Sequence, residues 1–247
     1  MSDFREAGHL PKRSERGEPP DPAGLPRQRR GITPQMHGRY PDWDVLEQAD
    51  HWDEATREVV LARVHSVPEI RFFAPEAART VAAFADAVTA QDAEPRIPLV
   101  NFIDEKLAEG NLEGYQYDDL PDDRDLWRLV ARGLDESARE TGATSFADAS
   151  EPVKHDICHA FSRAELRGAV WDELNVSHAW KVVTRDIVSA YYSHPWAWNE
   201  IGFGGPAYPR GYAAFGSPDL GEEAEGWEPK EAFSIDPVKD TQERGLE

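Results

Sequence analysis

Two histidines four residues apart open the search for chemistry, in the run His155-Asp156-Ile157-Cys158-His159. On a helix that spacing puts both rings on one face, as a metal site needs. His178, Glu165 or Glu173 from the next helix are candidates for a third ligand, which would make the chain an independent helical metal-binding protein or metalloenzyme. The specific helical zinc pattern carries Glu directly after the first His, and Asp156 stands there instead. The competing assignment, a surface or interface pair on a polar helix face, is the stronger, so no metal site is expected. Cys158 reads as a small buried apolar group beside Ile157. As the single cysteine it excludes an intrachain disulfide and a multi-cysteine zinc site. The pairs Asp118-Asp119 and Asp122-Asp123 have no histidine or glycine-turn context, which makes them a solvated loop and a helix cap rather than an acid/base pair. Gly202-Phe203-Gly204-Gly205-Pro206 is glycine-rich but follows a helix, a poor setting for a phosphate cradle. With no Gly-x-Gly-x-x-Gly after a strand and no Cys-x-x-Cys-His, neither a nucleotide fold nor covalent c-type haem is expected. Catalytic and cofactor-binding residues are therefore expected to be absent from this chain.

The elements that must position these residues are helical. Val59, Val60 and Val64 recur at helical spacing over about 54–67, before Pro68. Pro75 suits a first turn, and Val81, Phe84, Ala85 and Val88 line one face of a helix over about 75–90. Leu99, Phe102, Ile103 and Leu107 face inward from a short helix that Gly110 ends. Asp122 caps the clearest helix, whose stripe is Leu126, Leu129, Val130 and Leu134 and whose stop is Gly142. A fifth helix runs from near Ser150 to Phe161, and a sixth over about 163–193. Alternating apolar runs and internal repeats do not occur. The expected fold is all-α, a bundle of about five to six helices with long arms.

The 247 residues carry 27 basic and 47 acidic side chains, a formal net charge of −20. That excess argues against binding nucleic acid or anionic membranes through phosphate neutralisation. The division expected is an N-terminal arm over 1–50, a helical domain over 51–215 and an acidic tail over 216–247. Residues 1–42 hold seven of the 19 prolines and few apolar groups, too few to order the arm alone. From Gly216 onward ten acids face Lys230, Lys239 and Arg244, a net of −7. Arg29-Arg30 is followed by no apolar stretch, so a twin-arginine signal is rejected. The location expected is cytoplasmic, or exported together with a signal-bearing partner.

One stretch is more specific than the rest. Residues 186–212 place Tyr191-Tyr192-Ser193-His194-Pro195-Trp196-Ala197-Trp198 before Ile201-Gly202-Phe203-Gly204-Gly205-Pro206-Ala207-Tyr208 and a final Gly211-Tyr212. This resembles the closing signature of the gluconate 2-dehydrogenase subunit 3 family. Phe84-Ala85-Asp86 before Ile97-Pro98, then Phe102-Ile103-Asp104, and Phe146 after Gly142, are similar to that family's earlier elements, so the resemblance covers about 75–215. It implies a small accessory subunit without catalytic residues. Such a subunit pairs with an FAD-dependent large subunit of the glucose-methanol-choline type, which oxidises sugars, sugar acids or polyols, and some complexes add a cytochrome c subunit. The aromatic loop is the expected partner interface: Tyr191, Tyr192, Trp196, Trp198, Gly202, Phe203, Gly204, Gly205, Pro206, Tyr208 and Tyr212. Tyrosine and tryptophan dominate binding energy at interfaces. The same side chains also suit the bundle's own core, and a role shared between core and interface is expected.

Overall fold

Most helices here begin where a side chain caps the first turn or a proline stands in it. The computed structural model describes residues 44–91, 94–111, 116–201 and 203–206. A 3-10 helix, Val45–His51, is followed by α1 (Glu54–His65), α2 (Pro75–Thr89), α3 (Leu99–Glu109) and α4 (Asp123–Glu140). Then come α5 (Glu151–Ser162), the single turn α6 (Ala169–Asp172), α7 (Val176–Tyr192) and α8 (Pro195–Ile201). The fold is all-α, with no strand among the described residues. Asp53, Asp122 and Asn175 cap α1, α4 and α7 through their side chains, and Pro75 opens α2. Gly110 ends α3 in the left-handed region, at φ 72°. No described helix is long and apolar enough to cross a membrane.

The structure corrects the expected helix count in two places. The long sixth helix is broken: Ala164 and Gly168 take positive φ, α6 makes one turn, and the Asn175 cap starts α7 afresh. The stretch after Ser193, expected as loop, instead opens with α8, because Pro195 sits where a first-turn proline is preorganised. Residues 44–50, counted with the N-terminal arm, include most of the 3-10 helix, and Val45 is buried. The remainder of both arms lies outside the described residues.

Helix α2 is central and packs on α3, α4, α5 and α7. Val81, Phe84, Leu126, Trp127, Leu134, Phe161, Val183 and Ile187 fill the space between them, with Phe84 stacked on Phe161. Two buried carboxylates brace this bundle. Asp104 of α3 accepts the main-chain N–H groups of Arg71, Phe72 and Phe73 at 2.6–3.0 Å. Asp186 of α7 binds Lys106 Nζ at 2.8 Å and Trp127 Nε1 at 3.0 Å, tying α3, α4 and α7 together. A second, smaller apolar cluster joins Val45, Trp52, Val60 and Trp198, with Phe203 against it. It holds the 3-10 helix, α1 and α8 together, and α8 also packs on α7.

Candidate partner-docking site

The end of α7 and the whole of α8 carry the residues expected at an interface, and the structure divides them. Tyr191 is buried, and its hydroxyl pKa is raised by desolvation and by the nearby Glu200. Tyr192 stands 47% exposed with its ring edge-on to Tyr191. Trp196 is half-buried against the His194 ring. Trp198 is buried in the smaller cluster, donates from Nε1 to the Tyr192 carbonyl at 2.6 Å, and meets Phe203 edge-on. Phe203 and Pro206 are half-buried, whereas Gly204 and Gly205 are buried. Gly205 has φ 81°, and a Cβ there would lie 2.8 Å from the Trp52 ring and 3.0 Å from Val45. Its missing side chain makes room for this chain's own Trp52, not for a phosphate. Gly202, Tyr208 and Tyr212 lie outside the described residues.

Sequence reasoning passed over three buried polar side chains here. Asn199 accepts from the Val45 N–H at 2.8 Å and donates to Asp44, fixing the 3-10 helix to α8. His194 is 1% exposed, and its Nδ1 accepts from the Trp196 N–H. Glu200 is 2% exposed, and neither carboxylate oxygen has a hydrogen-bond partner among the described residues. Pro195 and Trp198, three residues apart and both buried, are the signal that this segment is a helix with a buried face.

Exposed large apolar side chains are restricted to a few elements. Val59 and Val67, on and just beyond α1, Val188 and Tyr192 on α7, and Ile201 on α8 are the exposed large apolar groups among the described residues. Helices α2 to α6 contribute none. Arg63 of α1 donates to the Ser193 carbonyl, so α1 and the α7–α8 corner are joined directly.

The candidate metal ligands are not gathered together. His155 and His159 share an exposed face of α5, their ring centroids 6.0 Å apart. His178 is engaged elsewhere: its Nδ1 lies 2.8 Å from Asp119, and its ring stacks on Tyr117 at 3.9 Å. Among the described residues no three His, Cys, Asp or Glu side chains come together as a metal site. The His178 hydrogen bond holds the Asp119 carboxyl below its ordinary range. Asp122 caps α4 as expected, but Asp123 is buried in its first turn rather than solvated. Burial pushes the Cys158 thiol up to about 12, which leaves it a poor nucleophile.

A family model described as gluconate 2-dehydrogenase subunit 3 matches residues 75–205, which is 131 of the 247 residues. The match runs from the start of α2 through α8 to Gly205. Comparison with curated proteins and with solved structures finds no match.

Proposed function

Because the chain belongs to the gluconate 2-dehydrogenase subunit 3 family, we propose that it is the non-catalytic small subunit that binds and stabilises a flavin-dependent dehydrogenase large subunit. The family name itself makes it a dehydrogenase subunit. The partner, on this reading, is of the glucose-methanol-choline type, carries the FAD, and oxidises a sugar, sugar acid or polyol. A cytochrome c subunit in the same complex would take the electrons onward.

The observation that carries the docking site is that the exposed large apolar side chains among the described residues lie on α1, just beyond it, and on α7 and α8. A bundle that buries its apolar groups elsewhere but leaves these uncovered has a surface suited to a partner. Tyr192 and Ile201 are the anchors proposed from the interface segment, while Tyr191 and Trp198 hold the platform beneath them. The test is co-purification of the large subunit from the native source, followed by affinity measurement. Tyr192→Ala with Ile201→Ala should weaken binding by about 30-fold or more while the far-UV spectrum stays helical. Trp198→Ala should instead loosen the small cluster of the free chain. Unchanged affinity in the double variant would move the docking site elsewhere. Flavin absorbance in the chain expressed alone would overturn the non-catalytic assignment.

A further inference from the structure

Helix α8 is seven residues long, yet it buries Glu200 and follows directly on a buried imidazole, His194. Glu200 has no compensating hydrogen bond among the described residues, and burying a carboxylate without one is strongly unfavourable. His194 uses Nδ1 as an acceptor for the Trp196 N–H and packs its ring near Phe102 and Trp196. That geometry suits the neutral ring. We propose that Glu200 and His194 are two buried titratable groups whose titrations bias the packing of α8 on the 3-10 helix and α1 in opposite directions as pH changes.

The groups around the pair leave this opposition intact. From α7, Tyr191 is the titratable neighbour that feels the Glu200 charge, and it stays neutral across the physiological range. From α1, Arg63 donates to the Ser193 carbonyl, and its charge disfavours a proton on His194. From the 3-10 helix, Asp44 is bonded to Asn199. Desolvation raises the Glu200 carboxyl to about 7 from an ordinary 4.5. The acid therefore lends stability in full below pH 4.5, and that stability is lost as pH rises through 7. Desolvation, with Arg63 adding to it, lowers His194 to about 4 from 6.5, while a bond to the Arg63 main chain works the other way. Its contribution is complete above pH 6.5 and is lost as pH falls through 4. The two slopes have opposite sign, so each offsets the other.

Hydrogen exchange of the α8 amides in the full chain, corrected for intrinsic rates, reads the opening equilibrium directly. Between pH 4.5 and 7 the wild type should change much less than either single variant. Glu200→Gln removes the carboxyl, so opening should fall as pH rises, by roughly 50- to 100-fold across that range. His194→Asn retains an acceptor near the Nδ1 position, and its opening should rise with pH by a similar factor. The double variant should be flat again, which separates lost titration from simple damage to α8. Single variants with the wild-type profile, or a wild type as steep as either variant, would overturn the proposal. Because the readout needs no partner, its failure is distinct from failure of the docking assignment.

Discussion

The bundle of α2 to α7 and the smaller assembly of the 3-10 helix, α1 and α8 differ in how Asp104 and Asp186 on one side and Glu200 on the other are partnered. In the bundle, Asp104 and Asp186 are fully buried and their charges meet several donors. In the smaller assembly, Glu200 and the Trp52 indole N–H are buried without a hydrogen-bond partner among the described residues. A buried polar group with its partners adds rigidity, and one without them subtracts from stability. The bundle also has the larger apolar core. The smaller assembly should therefore open first, and the exposed apolar side chains border it. A region held together this lightly is suited to being completed by a partner's surface.

The largest expected effect lies in the bundle. Asp104→Ala would strand the N–H groups of Arg71, Phe72 and Phe73, at a cost of about 3–5 kcal/mol. Urea titration should show it as a clear fall in midpoint, and a shift worth under about 1 kcal/mol would remove the contrast between the regions. Gly133→Ala comes next. Its Cβ would sit 2.7 Å from the Trp171 ring, where α4 packs on α6, and overpacking of that kind costs about 1–3 kcal/mol.

Gly205→Ala should act on the other region. The added Cβ meets Trp52 and Val45 and is strained at φ 81°, so α8 exchange should quicken by about tenfold or more. The midpoint for bundle unfolding should barely move, and a joint loss would show that the two regions unfold as one. Cys158 gives a slower probe. With its thiol at about 12, labelling at pH 8 should track opening of the bundle, and its rate should climb as pH rises. Fast labelling of the native chain at pH 8 would contradict that burial. The smallest effect belongs to His155→Ala and His159→Ala, each expected within about 0.5 kcal/mol of wild type because both rings are exposed.

Helices α2, α3 and α4 were legible from local signals alone. Pro75, Gly110 and Asp122 mark their ends, and Val81, Phe84, Ile103, Leu126 and Leu134 fall on their buried faces. These are short-range effects, in which a cap or an apolar stripe depends on neighbours a few residues away. The break near Gly168 was harder to foresee, because Leu166, Val170 and Leu174 keep an apolar rhythm through it. The aromatic segment was recognisable as a unit, but its division into Trp198 within the core and Tyr192 at the surface was not. Which side of α8 faces inward depends on Trp52, Val45 and Arg63, which precede it by about 130 residues or more.

An all-α chain, the ends of most helices, the net acidic charge and the family signature are each written in residue types or in spacings within one segment. Long-range packing is what makes Asp104 hold the turn at 71–73, pairs His178 with Asp119 rather than with His155 and His159, and buries Glu200 without a partner among the described residues. Those outcomes depend on groups from distant parts of the chain meeting in space, which no local residue type or spacing specifies.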